Sequence, residues 1–399
     1  MNTMTNSAQA PRRLTILGAT GSVGCSTLEV VLHNRERFEV VALVGNTNIS
    51  LLAEQAVACN AQLAVTADET RLGELKNLLA GTGIEVAAGD AAVIDAAQRP
   101  ADMVVAAIVG AAGLKPTLAA AAQGTTIALA NKECLVCAGD VFLRALQASG
   151  AKLLPVDSEH SAVYQVLDQN QPDQIDKIIL TASGGPFRSY EHAQLASITP
   201  DQALKHPNWS MGPKITVDSS TLMNKGLELI EAFYLFPVSA NQLDAVIHPQ
   251  SIVHSMVAYK DGSVLAQMGE PDMKTPIAYA LGWPNRIPAP VKRLDLAALG
   301  QLTFEAIDRT KFPAVALCLG CLERGGSATT VMNAANEVAV AEFLSNNVAY
   351  LGITQLVDAT LNAAEKDGMI AELRSLDDVS HADLYGREKA TELARSLQS

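Results

Sequence analysis

The sequence lacks any apolar run long enough to cross a lipid bilayer, because Gly, Pro or charged residues interrupt its most apolar segments. It also lacks an excess of basic residues: 29 Lys and Arg stand against 42 Asp and Glu, and the net charge is −13. This charge argues against nucleic acid or an anionic membrane as a partner, although an anionic metabolite can still bind in a locally positive cleft. The N-terminus has no apolar signal core, so we expect a cytoplasmic protein.

Cysteine is scarce, and four of the six cysteines form two C-x-x-C pairs, Cys134/Cys137 and Cys318/Cys321. This spacing is compatible with a zinc or redox site. Both pairs, however, lie in apolar, helix-like segments, where Cys behaves as a small hydrophobic residue. We therefore predict buried structural thiols.

The first 156 of the 399 residues alternate short apolar strands with helical patterns. We predict strands at Arg13–Gly18, Val40–Val44, Leu63–Thr66, Ile84–Ala87, Met103–Val109, Thr126–Ala130 and Lys152–Val156. Helices are predicted between them at Gly24–Leu32, Ser50–Cys59, Glu69–Leu79, Ala91–Ala97, Leu114–Ala122 and Glu133–Ala148. Such alternation predicts an α/β domain, a doubly wound parallel sheet of the Rossmann type.

The pattern changes after residue 157, and the length of the chain favours two or three domains. Predicted strands at Lys177–Ala182, Ile215–Val217, Asp244–Val246, Ile252–Tyr259 and Ser263–Met268 indicate a central α+β domain. Prolines mark a linker, and helical periodicity continues from there to the end. We predict a nucleotide-binding domain at 1–156, a catalytic and dimerisation domain at 157–290, a linker at 291–311 and an all-helical C-terminal domain at 312–399.

The first strand leads into a glycine-rich turn, Gly18-Ala19-Thr20-Gly21-Ser22-Val23-Gly24, and then into a helix. Glycines in a strand–turn–helix let backbone N–H groups approach a pyrophosphate at the helix N-terminus. A tight turn that needs Gly for positive φ is the structural alternative. At the start of a doubly wound domain, the turn predicts a dinucleotide site.

The second strand is followed by Asn46-Thr47-Asn48, with no carboxylate. An NAD site commonly places Asp or Glu here for the ribose hydroxyls. Without it a 2′-phosphate is not repelled, so the loop favours NADPH.

Two carboxylates, Asp157 and Glu159, follow the strand that ends near Val156. In an extended chain, residues i and i+2 point to the same side, so these carboxylates can converge. Oxygen ligands suit Mg²⁺ or Mn²⁺. A D-x-E pair is also common at a solvated strand end or helix cap, so this pair alone does not establish a metal site.

Residues 204–231 hold an unusual mixture of one His, one of the two tryptophans, hydroxyls, amides, lysines and carboxylates. If Ser219 or Ser220 caps a helix, then Asn224, Lys225 and Glu228 share a helix face. An exposed Lys–Glu pair is the simple alternative. The nearby Ser183-Gly184-Gly185 turn favours a phosphate pocket, because Gly-flanked hydroxyl and N–H groups bind oxyanions.

The segment 206–213, HPNWSMGP, places Trp209 in a loop bounded by Pro and Gly, with His206 available to bond a ligand. A buried loop anchor is the alternative to a functional role. We predict a flap that closes over substrate and excludes water.

Together these motifs resemble the 1-deoxy-D-xylulose 5-phosphate reductoisomerase family. The resemblance rests on eight segments: LTILGATGSVG, ALANKE, PVDSEHSA, TASGGPFR, HPNWSMG, VDSSTLMNKGLE, HPQSIVHSMV and GEPDMKTPIAYALGWP. They occur in the family's order and are spread over most of the chain.

The resemblance implies three domains, a homodimer, NADPH and a divalent metal, Mn²⁺ or Mg²⁺ with Co²⁺ as a further possibility. It implies metal ligands Asp157, Glu159 and Glu228, and catalytic groups Lys132, Glu159 and His206. The implied substrate-binding residues are Lys132, Ser158, Glu159, Ser183, His206, Trp209, Ser219, Asn224, Lys225 and Glu228. The implied nucleotide contacts are Thr20, Gly21, Ser22, Val23, Asn46, Thr47, Asn48, Asn131, Glu133 and Gly212. Asp218 and Glu231 are expected to be structural.

The sequence departs from the family at Thr47, where the family usually carries a basic residue beside the 2′-phosphate. Neutral hydrogen bonds are weaker than charge-assisted ones, so we expect a reduced preference for NADPH over NADH.

The implied reaction converts 1-deoxy-D-xylulose 5-phosphate into 2-C-methyl-D-erythritol 4-phosphate. It combines a skeletal rearrangement, most simply retro-aldol cleavage and re-closure, with hydride transfer from NADPH. Two other functions remain open at this point: a dehydrogenase of the homoserine or semialdehyde type, and a non-catalytic nucleotide-sensing module.

Overall fold

A computed structural model describes residues 10–205 and 212–397. By internal contacts the chain divides into two compact units. Unit 1 comprises residues up to 131, 145–157 and 273–291, and unit 2 comprises 132–144, 158–272 and 292 onwards. Each unit therefore contains segments that are distant in sequence. The three-domain division with boundaries at 156, 290 and 311 stays a prediction.

The first part of the chain alternates strands and helices as predicted. The strands are β1 Arg12–Leu17, β2 Phe38–Gly45, β3 Leu63–Thr66, β4 Glu85–Ala88, β5 Met103–Ala106, β6 Thr126–Leu129 and β7 Leu153–Pro155. The helices are α1 Ser22–His33, α2 Ile49–Ala58, α3 Leu72–Leu78, α4 Asp90–Gln98, α5 Leu114–Ala122 and α6 Glu133–Ser149.

Unit 1 is built on a parallel sheet of seven strands in the order β4-β3-β2-β1-β5-β6-β7. The apolar strand residues, such as Leu14, Ile16, Leu43 and Val104, are buried, as expected for a parallel sheet covered on both faces. The strand order reverses between β1 and β5, which is the position where doubly wound sheets bind nucleotides. The predicted Rossmann-like fold is confirmed.

The second part of the chain mixes helices and strands. Its elements are α7 Ser158–Val166, β8 Ile175–Ala182, α8 Pro200–Ala203, α9 Pro213–Thr221, α10 Met223–Leu235, β9 Leu243–Ile247, β10 Val253–Tyr259, β11 Val264–Met268 and α11 Lys274–Gly282. The remaining elements are α12 Leu296–Leu299, β12 Glu305–Ala306, α13 Ala314–Arg324, α14 Ala328–Leu344, α15 Tyr350–Lys366 and α16 Leu376–Leu397.

Unit 2 contains a five-stranded sheet in the order β11-β10-β8-β9-β12. Only β8 and β9 pair in parallel, and the other neighbours are antiparallel. Its core includes Ile178, Leu180, Leu229, Val257 and Val315, all nearly inaccessible to solvent. The C-terminal segment is helical as predicted, from α13 to α16.

One predicted strand was wrong. Residues Ile215–Val217 lie inside α9, because Pro213 at the first helical position favours helix initiation and the short β-branched run is too brief to override it.

The cysteine prediction is confirmed: Cys134, Cys137, Cys318 and Cys321 are buried free thiols within α6 and α13. Among the described residues, no helix combines the length and apolar character needed to cross a bilayer.

Candidate active site

Three carboxylates, from Asp157, Glu159 and Glu228, offer oxygen atoms that all lie within 4.8 Å of one another. Asp157 directly precedes α7, Glu159 lies in its first turn, and Glu228 lies in α10. The predicted convergence is therefore present, but its predicted cause was wrong. The chain turns helical at Ser158 instead of staying extended, so Glu159 projects from a helix start.

Lysine ammonium groups contact these carboxylates. Lys225 Nζ donates to Glu159 Oε1 at 2.8 Å and also to Glu228, three residues further along α10. Lys132 Nζ, just before α6, lies 3.5 Å from Glu228 Oε1 and donates to Asn224 Oδ1 at 2.9 Å. Burial lowers the pKa of Lys225, but Glu159 and Glu228 outweigh it and raise the pKa above its ordinary value. Lys225 is therefore a cation at neutral pH.

The donor set fits a hard divalent cation. All three candidate ligands are carboxylates, which Mg²⁺ and Mn²⁺ prefer over softer ligands. Glu228 is 1% exposed and Ser158 donates a hydrogen bond to Glu159, so the ligand side chains are held in place. The geometry supports Asp157, Glu159 and Glu228 as the residues that would hold the metal.

The α9–α10 junction places two serine segments together. Leu222 adopts a left-handed conformation with φ of 60° and separates α9 from α10. Ser219 and Ser220 thus lie in the last turn of α9, and the predicted role of either as a helix cap was wrong. A Cβ added to Gly185 would lie 2.9 Å from the Ser219 carbonyl oxygen, so the Ser183–Gly185 turn passes directly against this helix end.

The glycine-rich turn between β1 and α1 has the form expected of a dinucleotide site. Gly18 has φ of +85°, and a Cβ there would lie 2.4 Å from the carbonyl oxygen of Ala107, just after β5. A Cβ on Gly24 would lie 2.2 Å from the carbonyl oxygen of Gly18. Gly21 is the N-cap of α1, with no side-chain cap hydrogen bond, and both Gly21 and Ser22 are exposed. The first N–H groups of α1 are thus available to an anion.

Asn46, Thr47 and Asn48 are exposed after β2, and Asn48 Oδ1 accepts a hydrogen bond from Leu51 N at the start of α2. Asn131 Nδ2 donates to the carbonyl oxygens of Ile108 and Gly110, which fixes the loop after β5.

Comparisons with known proteins agree over nearly the whole chain. Three family models match: 1-deoxy-D-xylulose 5-phosphate reductoisomerase at residues 14–139, its C-terminal domain at 153–236, and the DXP reductoisomerase C-terminal domain at 268–389. A 1-deoxy-D-xylulose 5-phosphate reductoisomerase of Rhodospirillum centenum is 54% identical, over 96% of this chain and 94% of that protein. The chain belongs to this family.

Solved structures of the family agree with the fold. The Zymomonas mobilis reductoisomerase in complex with NADPH is 47% identical with a TM-score of 0.91, over 97% of this chain and 99% of that chain. A DOX-P reductoisomerase in complex with NADPH, fosmidomycin and magnesium is 41% identical with a TM-score of 0.93, over the same shares of the two chains.

The family's implied residues are only partly brought together by contacts in the structure. Asn224 and Lys225 contact the carboxylate cluster. Ser183 accepts a hydrogen bond from Gly185 N, and it is Gly185 that lies against the Ser219 carbonyl at the end of α9. His206 and Trp209 lie outside the described residues. Gly212 is described and is the N-cap of α9.

Several residues around the site had no sequence prediction. His160 is fully buried and its Nε2 donates to the carbonyl oxygen of Glu228 at 2.8 Å, while Nδ1 lies 3.3 Å from Glu231 Oε2. The second such residue is His254 of β10, whose ring is influenced by the charges of Glu159 and Lys225. Burial lowers the pKa of His254, which therefore favours the neutral form. The signal for His160 was its position directly after Glu159.

Asp218 and Glu231, expected to be structural, are both about 1% exposed. Asp218 pairs with Lys214 at 2.8 Å and accepts from Asn336 Nδ2 at 2.9 Å. Its position within a helix-to-helix contact agrees with a structural role.

Proposed function

We propose that this chain converts 1-deoxy-D-xylulose 5-phosphate into 2-C-methyl-D-erythritol 4-phosphate, using NADPH and a divalent metal ion, in the methylerythritol phosphate route to isoprenoids. Membership of the reductoisomerase family supports this function. The observation that carries it at the level of residues is the cluster of three carboxylates with Lys225 and Lys132 against it.

Asp157, Glu159 and Glu228 would hold Mg²⁺ or Mn²⁺, with Co²⁺ as a third candidate. When bound, the ion supplies Lewis acidity that polarises the ketone of the substrate. The three side chains orient the site, because two project from helices and the third directly precedes one.

Lys132 and Ser158 would contact the carbon skeleton. Lys132 is 7% exposed and already bonded to Asn224, so its ammonium is held in a fixed position with little water around it. A donor held in that way needs little reorganisation as charge develops on a substrate oxygen. His206 and Trp209 are proposed to cover the substrate.

Ser183, Ser219, Asn224 and Lys225 would bind the phosphate. Such a grip on a non-reacting group supplies binding energy that keeps the reacting carbons in place. The cationic state of Lys225 and the glycine turn beside Ser219 support this assignment.

The nucleotide would lie at the turn Thr20–Val23, with further contacts from Asn46, Thr47, Asn48, Asn131, Glu133 and Gly212. The exposed N-terminus of α1 supports a pyrophosphate position there.

In the rearrangement, the C3–C4 bond of the substrate breaks and a C2–C4 bond forms, which leaves C3 as an aldehyde. Hydride from NADPH and one proton then reduce this aldehyde to an alcohol. All carbon atoms of the substrate remain in the product, and one NADPH is oxidised for each.

The direct test is NADPH consumption with 1-deoxy-D-xylulose 5-phosphate, measured by absorbance with Mn²⁺, with Mg²⁺ and with a chelator, and repeated with NADH. We expect turnover with either metal and none with the chelator. Turnover that needs no metal would favour a simple dehydrogenase. Binding of NADPH without its oxidation would favour a sensing module.

The proposal includes a cytoplasmic homodimer, as the resemblance to the family implies. Light scattering on the purified protein should give twice the chain mass of 42.0 kDa. A mass equal to one chain would contradict the dimer.

A further inference from the structure

Lys132 lies just before α6, and Glu133 is the first residue of α6. Helix α14, in the helical C-terminal segment, contacts this part of the chain through two separate polar paths. Residues Cys134–Cys137 of the first turns of α6 are all buried, with exposures of 2% or less. The N–H groups of Leu135 and Val136 both donate to the Lys132 carbonyl oxygen, at 3.1 and 2.9 Å. Any shift of this turn therefore moves Lys132.

The first contact comes from Thr330, which is fully buried in α14. Its Oγ1 donates to the Cys137 carbonyl oxygen at 2.7 Å. Cys137 directly precedes Ala138, whose φ of −140° and ψ of 27° interrupt α6. The short helical segment before this break is held from outside, by a helix almost two hundred residues later in the sequence.

The second contact runs through three polar steps. Asn336, which is fully buried and lies less than two turns further along α14, donates to Asp218 Oδ1 at 2.9 Å. Asp218 pairs with Lys214 at 2.8 Å, and Lys214 Nζ lies 3.9 Å from Glu133 Oε1. Burial lowers the pKa of Lys214, but Asp218 and Glu133 outweigh it, so the group stays charged.

Helix α14 is itself fixed. Asn333 Nδ2 donates to Glu337 Oε1 at 3.1 Å, and Arg387 of α16 donates to Glu337 Oε2 at 2.6 Å. Arg387 is also bonded to Asp383 within α16. A helix anchored in this way can serve as a rigid support for a neighbouring segment.

We propose that Thr330 and Asn336 are positioning residues for the reaction: through Cys137 and through Asp218 and Lys214, they set the position of Lys132 and Glu133. The helical C-terminal segment would thereby contribute to catalysis without touching substrate. This inference rests on the proposed role of Lys132.

A matched pair of threonines separates positioning from stability. Thr330 and Thr360 are both fully buried, and each hydroxyl makes a hydrogen bond of similar length, 2.7 and 2.8 Å. Thr330 bonds across to α6, whereas Thr360 bonds to Leu356 within its own helix.

Thr330→Val should lower kcat with 1-deoxy-D-xylulose 5-phosphate and NADPH roughly tenfold, because small displacements of catalytic groups are costly. Thr360→Val should leave kcat within about twofold of the wild-type value, although it should lower Tm by about as much as Thr330→Val does. Thr330→Ser, which keeps the hydroxyl, should restore kcat. Equal kcat in Thr330→Val and Thr360→Val would overturn the proposal.

A double-mutant cycle tests the second contact and does not depend on Thr330 variants. Asn336→Leu and Lys214→Met should each lower kcat/KM several-fold, and the double variant should lower it little more than the stronger single variant. If the two fold-changes multiply, the path through Asp218 does not exist. An inactive wild-type protein would instead refute the proposed function, which keeps the two failures distinct.

Discussion

At the residue scale, Lys225 contacts the carboxylate cluster and is also proposed to bind the phosphate. Its ammonium lies between Glu159 and Glu228, and only 3% of its side chain is exposed. Removing one partner of a buried ion pair leaves the other charges without compensation, which is costly. The phosphate-binding role proposed for Lys225 is therefore linked to the stability of the carboxylate cluster.

We expect Lys225→Met to lower the free energy of unfolding of the metal-free protein by about 3 kcal/mol, since the buried Glu228 and the partly buried Glu159 lose their cation. Added Mn²⁺ should recover part of this loss, and the apparent affinity for the substrate should fall. Denaturant unfolding and steady-state kinetics measure both effects. Lys292→Met, at a pair with 80% of the lysine side chain exposed, is the control and should change stability by less than about 0.5 kcal/mol. An unchanged KM in Lys225→Met would rule out the phosphate role.

We expect the preference for NADPH over NADH to depend on the residue at position 47, a threonine. It is exposed between Asn46 and Asn48, with no charge of its own to offer a 2′-phosphate. Thr47→Lys should raise the ratio of kcat/KM for NADPH over that for NADH by about tenfold, because a charge-assisted hydrogen bond replaces a neutral one. Kinetics with both nucleotides give this ratio directly. A ratio that stays the same would place the 2′-phosphate elsewhere.

At the scale of elements, the turn between β1 and α1 depends on Gly24. A Cβ there would collide with the carbonyl oxygens of Gly18 and Ala19, whereas a Cβ on Gly73 of α3 meets nothing within 4 Å. Both glycines lie in helices, so the exchange to Ala has the same intrinsic helix preference at each.

Gly24→Ala should raise KM for NADPH at least tenfold, because backbone N–H groups lose their alignment with the pyrophosphate. Gly73→Ala should leave KM unchanged and stabilise the protein by about 0.5–1 kcal/mol. Steady-state kinetics and thermal unfolding check both variants. If Gly24→Ala binds NADPH as well as the wild type, the nucleotide does not use this turn.

Most of the elements, but not all of them, could be predicted from the sequence. Alternating apolar strands and turn residues predicted all seven strands of the parallel sheet, because buried parallel strands have a strong local signature. The strand predicted at Ile215–Val217 was wrong, because a β-branched run of three residues is weak evidence for a strand when Pro213 favours the start of a helix. The break at Leu222 could not be predicted, because a left-handed Leu has no sequence signal and depends on tertiary packing.

The candidate site was predictable in its chemistry and less so in its contacts. Asp157, Glu159 and Glu228 converge as expected. A pair of Lys225 with Glu228 was one of the alternatives, as an exposed pair, but the contact of Lys225 with Glu159 was not predicted. Residues such as Asn336 act across more than a hundred positions of sequence, and no local pattern predicts such a pairing.

At the scale of the whole molecule, the four cysteines of the two C-x-x-C motifs are free thiols in the packed interior. Burial raises the pKa of Cys137 and Cys318 well above the ordinary value and that of Cys321 to about 12. Thiols in this state are poor nucleophiles, because the thiolate is the reactive form.

We expect a thiol reagent at about pH 8 to leave Cys134, Cys137, Cys318 and Cys321 of the native protein unmodified. The same reagent in denaturant should modify all six cysteines. Mass spectrometry of the labelled peptides identifies the sites, and elemental analysis should find no zinc bound to these pairs. Fast labelling of either pair in the folded protein, or stoichiometric zinc, would contradict the structural role.

The central claim is that this chain rearranges a carbon skeleton before reducing it. The most direct measurement is the ¹³C NMR spectrum of the product made from substrate labelled at C3 and C4, with NADPH and Mn²⁺. We predict that the one-bond coupling between the two labels disappears, because C3 and C4 are no longer bonded in the branched product. If the coupling persists while NADPH is consumed, the chain merely reduces its substrate and the reductoisomerase function is refuted.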